Sequence, residues 1–159
     1  MGKKTAPGKP AVKIVARNRQ AARAYFIDEK FEAGLELRGT EVKSLRRGNC
    51  SLQEAYARPR SGELFVFNMN ISPYEEGNIE NHVPKRPRKL LLHKKEIRHL
   101  VEKVEQRGFT IVPLSVYFKR GRAKVEIALA RGKTFSDRRD VLRSKDSKKE
   151  MERELRRRR

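Results

Sequence analysis

The chain has 159 residues, with forty Lys or Arg against twenty Asp or Glu, a formal charge of +20 and 36% apolar residues. That excess cannot be neutralised internally, so the chain repels itself and seeks a polyanion, nucleic acid before anionic membrane. No apolar run approaches the ~18 residues of a membrane span, the start MGKKTAPGKPAVK has no apolar stretch of signal-peptide length, and the lone Cys50 cannot form an internal disulfide, which together point to a reducing cytoplasm.

Residues 1–16 carry Gly, Pro and Lys without periodicity and read as a flexible basic arm. ARAYFIDEKFEAGLEL (22–37) reads as strand, interrupted near Gly34. GTEVKSLRRGN (39–49) predicts a short helix, with Thr40 as N-cap, Val42 and Leu45 three apart, and Gly48 as its stop. Residues 51–74 predict two strands around a turn at Pro59 to Gly62; Phe65, Phe67, Met69 and Ile71 alternate as a strand face does. Residues 75–88 read as loop.

KKEIRHLVEKVEQRG (94–108) is the clearest helix: Ile97, Leu100, Val101 and Val104 follow the i, i+3, i+4, i+7 rule, and Gly108 sits where a C-cap glycine belongs. FTIVPLSVYF (109–118) and AKVEIALA (123–130) flank a tight basic turn at Gly121 and predict a hairpin with Ala123, Val125, Ile127 and Leu129 on one face. From Arg131 the character changes. Residues 131–159 hold thirteen Lys or Arg and six Asp or Glu, and their large apolar groups are only Phe135, Val141, Leu142, Met151 and Leu155. Too little can be buried to fix such a tail alone, yet it lacks Gly and Pro after Gly132 and can become helical on a partner.

The expected fold is therefore mainly β: a small OB-like closed β-barrel over residues 17–130 with peripheral helices, and a basic tail over 131–159 that is disordered when free. From pattern alone an α+β sandwich competes with it.

Chemistry-bearing motifs are missing. Gly132-Lys133-Thr134 imitates the end of a P-loop, but that loop needs a glycine at 127, where Ile127 sits in a strand pattern. His82, His93 and His99 with Cys50 show no metal-ligand spacing and read as scattered surface or RNA-facing groups. Serine-nucleophile motifs are absent, and Glu75-Glu76 reads as a solvated pair. A binding protein without cofactor is expected, rather than an enzyme.

KRPRKLLLHKKEI (85–97) is harder to place: three leucines stand in a row inside a basic segment. Together with NRQAARAYFIDEKFEAGLELRGTEVKSLRRG (18–48), NHVPKRPRKLLLHKKEI (81–97), GFTIVPLSVYFKRGRAKVEIALARGK (108–133) and DRRD (137–140), it carries a resemblance. The chain resembles the small protein B family, the tmRNA-binding (SsrA-binding) proteins of bacterial trans-translation, over most of residues 17–140.

The resemblance implies an OB-like barrel that holds the tRNA-like domain of tmRNA and delivers it to ribosomes stalled without a stop codon. The protein body stands where a tRNA has its anticodon arm, and the tail folds as a helix in the empty mRNA channel. Partners would be tmRNA and the ribosome directly, with elongation factor Tu and alanyl-tRNA synthetase met through tmRNA.

Residue by residue, Arg86, Arg88 and Lys89 would contact phosphates, as would Arg19 and Lys124. Glu32, in FEAG, would accept from base amino groups, against the alternative of a solvated or salt-bridged carboxylate. Leu91, Leu92 and His93 would pack on unstacked bases; the competing reading puts all three leucines in the core. Pro87 excludes a helix through this segment, so the helix should begin near His93. In the tail, Lys133, Phe135, Asp137, Arg138 and Arg139 would meet the ribosome. Many members read G-K-K-x-[HY]-D-K-R there; this chain has Thr134 for the second lysine and Ser136 for the ring, which Phe135 could replace from next door. A ribosomal structural protein or general RNA chaperone would share the basic barrel and tail and remains the alternative.

Overall fold

The computed structural model describes residues 11–106 and 108–158. In chain order the elements are β1 (Val12–Arg17), α1 (Ala21–Ala24), β2 (Tyr25–Leu35), α2 (Gly39–Arg46), β3 (Cys50–Ser51), β4 (Tyr56–Arg60), β5 (Glu63–Phe67), β6 (Asn70–Ile71), a 3-10 segment over Glu75–Glu80, β7 (Arg88–Leu91), α3 (Lys94–Glu105), β8 (Phe109–Lys119), β9 (Arg122–Gly132) and α4 (Phe135–Arg157). The protein is mainly β, with its helices at the periphery.

Every pairing is antiparallel. Strand β8 pairs β4, β4 pairs β5, β5 pairs β7, β7 pairs β2, β2 pairs β9 and β9 returns to β8, so six strands form a closed ring of hydrogen bonds. β1 lies beside the Ser115–Lys119 half of β8, and β3 pairs β6 apart from the ring. The two predicted hairpins are present. Each closes through two left-handed residues, Ser61-Gly62 (φ 52° and 76°) and Arg120-Gly121 (φ 52° and 74°), the backbone whose twist matches that of the flanking strands.

Strand alternation fills the ring. Val125, Ile127 and Leu129 of β9 meet Ile111 and Val116 of β8, Leu64 and Val66 of β5 and Leu90 of β7, all buried. Helix α3 lays Leu100 against this core, with Ile97 and Val104 half-buried beside it, as the 3.6-residue period required. A smaller cluster lies where Ala21 of α1 covers Val112, Ala128 and Ala130.

Several expectations are corrected. The arm ends earlier than 16: Val12–Arg17 is a paired strand, while residues 1–10 lie outside the described residues. Residues 21–24 form a short helix before β2. Gly34 does not interrupt β2, which runs through it to Leu35. Thr40 is inside α2; Arg38 is the N-cap, its backbone N–H donating to the Glu41 carboxylate at 3.0 Å. The helix over 94–108 stops at Glu105, and Gly108 (φ 85°) instead begins the turn into β8. The sheet reaches Gly132, and Lys133 ties it to α1 through a backbone bond to the Ala24 carbonyl at 2.8 Å. Beyond that point the tail is helix α4, with Leu142, Met151 and Leu155 left 62%, 68% and 66% exposed.

Candidate RNA-binding surface

Strand β7 inverts the usual rule. Its alternation turns Arg88 and Leu90 inward and Lys89 and Leu91 outward, so a charge is buried and a leucine is 49% exposed. Leu91 faces Gly34 across the β7–β2 pair, Gly34 faces Lys124 across β2–β9, and Lys124 faces Tyr117 across β9–β8. These four residues therefore form one row across four adjacent strands. Leu91 lies flat on the glycine: a Cβ at position 34 would stand 3.1 Å from the Leu91 Cβ. An open groove of about 470 Å³ continues the row past Leu37, Val42 and Phe118.

Glu32 stands two residues before Gly34 on the same face of β2, opposite Glu126. The Tyr117 hydroxyl donates to its carboxylate, and Lys119 Nζ lies 3.3 Å away. The tyrosine bond, then the lysines Lys119 and Lys124, hold the Glu32 pKa below its ordinary value against the opposing effect of burial. The carboxylate thus stays ionised and oriented, with 39% of its side chain exposed and free to accept a further donor. Tyr117 is itself pushed up by burial and by Glu32, so it remains a protonated donor. Glu32, Leu91 and Lys124, far apart in sequence, are thereby gathered on one outer face.

Arg88 is not on it, and the expectation that it contacts phosphate is corrected. Arg88 is fully buried: Nε donates to Glu41, one terminal nitrogen to the Met69 carbonyl at 2.6 Å and the other to the Pro84 carbonyl at 2.9 Å. Arg86, 23% exposed, also donates to Glu41, through Nε at 3.0 Å and through a terminal nitrogen. Burial by itself raises the Glu41 pKa, but the bonds from Arg86, the Arg38 backbone and Arg88 outweigh it and the net direction is down. Two guanidiniums around one buried carboxylate clamp the loop before β7 onto α2. His82, expected at the surface, is buried in the same clamp, with Nε2–H donating to the Ile71 carbonyl at 2.8 Å and Nδ1 bonded to the Thr40 hydroxyl at 3.0 Å.

The remaining positions divide. Lys89 is outward and pairs Glu63 at 2.8 Å. Leu92 is half-buried against the core, so the exposed member of the leucine run is Leu91. His93 is exposed at the N-cap of α3, and Arg19 is exposed beyond β1. Lys133 is fixed at the root of the tail, its ammonium 3.0 Å from the Ala22 carbonyl and 4.9 Å from the Phe26 ring centroid. Arg139 is exposed on α4; the side chains of Phe135, Asp137 and Arg138 lie outside the described residues. Burial pushes the Cys50 thiol up to about 12, far from a reactive thiolate. Among the described residues no helix is long and apolar enough to cross a membrane.

Tyr117, Gly34 and Glu41 are the structural partners that sequence reasoning missed. Gly34 had a signal, since a glycine inside a strand pattern marks close approach by another group. Glu41, three residues after Arg38, had a weaker one as the reciprocal partner of a helix cap.

Comparison with known proteins bears on most of the chain. A family model described as SmpB protein matches residues 15–157. The SsrA-binding protein of Pelotomaculum thermopropionicum is 55% identical over 148 residues, covering 93% of this chain and 97% of that protein. The SsrA-binding protein of Shouchella clausii is 53% identical over 146 residues, covering 92% and 94%. A solved chain described as "tmRNA-SmpB: a journey to the center of the bacterial ribosome" superposes with a TM-score of 0.65 at 49% identity, over 80% of this chain and 94% of that one. A match that runs from β1 to the end of α4, body and basic tail alike, makes this chain a member of the SmpB family.

Proposed function

We propose that the protein is a tmRNA-binding adaptor of trans-translation, working in the cytoplasm with tmRNA and the ribosome as direct partners. The ring of strands is read as an OB-like closed barrel. Its outer row of Leu91, Gly34 and Lys124, with Glu32 beside it, takes the tRNA-like domain. Juxtaposition of these separated residues on one face is the observation that carries this reading. Lys124 supplies a phosphate contact. Glu32 accepts from a base amino group, which distinguishes one RNA loop from others where a lysine would not. Leu91 offers an apolar surface to an unstacked base, and His93 and Lys89 extend the same edge.

The tail from residue 131 is the second working part. Its charge suits a channel walled by ribosomal RNA phosphate, and helix α4 is the form it takes there; free in solution it is disordered, because it has little apolar surface to offset the ordering entropy. Lys133, Phe135, Asp137, Arg138 and Arg139 contact the ribosome. Elongation factor Tu and alanyl-tRNA synthetase are reached only through tmRNA. No step of the proposed role requires catalysis or a cofactor.

Competition at fixed salt tests the first part: the tRNA-like domain should displace labelled tmRNA far better than bulk tRNA, whereas equal competition would favour a general RNA chaperone. Truncation from Phe135 tests the second. Binding of tmRNA should survive while tag addition on ribosomes lacking a stop codon is lost; undiminished tagging would remove the tail from the mechanism.

A further inference from the structure

The tail leaves the strands at Gly132, and its next residue is tied back to the body three times. The Lys133 N–H donates to the Ala24 carbonyl at 2.8 Å, its ammonium donates to the Ala22 carbonyl at 3.0 Å, and the same ammonium lies 4.9 Å from the centroid of the exposed Phe26 ring. Ala22 and Ala24 belong to α1, and the last carbonyls of a helix have no partner within it. A lysine side chain is suited to supply one. Helix α1 is itself fixed at its other end. The Asn18 N–H donates to the Leu114 carbonyl at 2.7 Å and the Asn18 side-chain amide to the Pro113 carbonyl at 3.1 Å, while the side-chain oxygen accepts from the Ala21 N–H at 3.2 Å. Between these ends Ala21 is buried on Val112, Ala128 and Ala130. A further cation–ring contact lies beside the first: Arg131, the cross-strand partner of both Phe26 and Phe109, stands 5.6 Å from the Phe109 ring centroid.

We infer that α1 is a brace that sets where the tail leaves the body, and that Phe26 is a positioning residue for the tail, acting through Lys133. A ring attracts an ammonium without neutralising it, as a carboxylate would. Lys133 therefore keeps its charge, and the two N–H groups that it does not give to Ala22 stay available for a phosphate. Three ties at one residue fix the direction of the chain just ahead of α4, independently of how the rest of the tail is ordered. A tail that must enter a channel gains from this, since freedom removed beforehand is not lost on entry. The consequence for tag addition rests on the tail reading given above. The brace itself does not, and its test separates the two.

The test uses the full chain, and residue-resolved amide hydrogen exchange reads the brace. Phe26→Leu keeps an apolar group and removes the ring. The protection factor of the Lys133 amide should then fall about threefold, while those of Ile127 and Leu129 in the core stay at parent values. Phe26→Tyr should keep the parent's protection. Lys133→Met, flexible and uncharged, should lose it as Phe26→Leu does, and gives the same reading should Phe26→Leu melt early. In Phe26→Leu the affinity for the tRNA-like RNA should be unchanged, and tag addition on ribosomes lacking a stop codon should fall several-fold. Parent-like protection of Lys133 in both variants overturns the brace, as does an equal fall at Ile127 and Leu129 in both. Lost protection with parent-like tag addition overturns the positioning role. If truncation from Phe135 leaves tagging undiminished, the tail reading falls, and the exchange result still decides the brace.

Discussion

Arg88 and Leu91 sit three residues apart on one short strand and exchange the roles their chemistry suggests. Arg88 is fully buried; Leu91 is 49% exposed. The alternation of β7 decides this, since residues an odd number apart face opposite ways. Each inversion is sustained by a partner. Arg88 has an ionised carboxylate and two carbonyls; Leu91 has a glycine to lie on. The contrast teaches that in a basic RNA-binding chain a positive charge does not by itself mark the interface. The clamp is buried structure, and the leucine is the group left exposed.

The largest effect should come from the clamp. Glu41→Ala leaves Arg88 as an uncompensated buried charge, a change that costs about 3–5 kcal/mol. Urea denaturation should show the midpoint falling accordingly; a loss below about 1 kcal/mol would mean that water reaches the cluster. The acid side follows from the sign of the shift. The Glu41 pKa is lowered in the folded state, so its contribution is complete above the unfolded value of ~4.3 and is lost as pH falls through the folded value. Glu41→Gln should remove this acid-dependent part of the stability curve.

Next in size is Leu91→Ala. With half its surface already in water, the leucine contributes little to the core, so the melting temperature should hardly move while affinity for the tRNA-like RNA falls by roughly tenfold. A drop in stability without a drop in affinity would return Leu91 to a packing role and erase the contrast with Arg88.

Smaller again is Tyr117→Phe. The hydroxyl orients Glu32 and is the foremost cause of its depressed pKa. Without it the carboxylate remains but is held only by lysine, so RNA affinity should fall less than in Glu32→Ala. Equal losses would show that orientation is everything. Glu32→Ala also carries a stability cost of about 1 kcal/mol, because a largely buried tyrosine loses its acceptor; two identical melting curves would contradict this.

The sequence made the hairpin β8–β9 and the helix α3 legible, because each is a local periodic signal; the expected face of Phe65, Phe67, Met69 and Ile71 is broken at Asn68 (φ 58°), and the buried face of β5 is Leu64 and Val66 instead. It suggested a closed β-fold but not the order of its strands, because closure between β7 and β2 rests on pairs such as Leu35 with Leu90 that only the folded chain brings together. Of the candidate site, Glu32, Leu91 and Lys124 were named from resemblance and the fold assembles them on one face. Arg88 differs from expectation for a physical reason: nothing local says that Glu41, more than forty residues away, waits as a buried counter-charge. His82 was misjudged similarly, its partners Thr40 and Ile71 being supplied by other elements.

Gly34→Ala tests the smallest and most specific part of the contrast. Alanine suits a strand better than glycine by about 0.5–1 kcal/mol in backbone entropy. Against this, the new Cβ would stand 3.1 Å from the Leu91 Cβ, so Leu91 must yield by a few tenths of an ångström. The two effects are of similar size and opposite sign, and unfolding should change little. RNA binding, on the proposed reading of this face, has no such compensation. Leu91 is lifted from the strand, its outward surface no longer in register with Lys124 across Gly34. Affinity for the tRNA-like RNA should fall by a few-fold at nearly constant stability, and a second substitution, Leu91→Ala, should add less than its full effect because the two residues share one contact. Strict additivity in that double-mutant cycle would show that the glycine serves only the strand, and that the exposed leucine is presented by something other than the bare backbone beneath it.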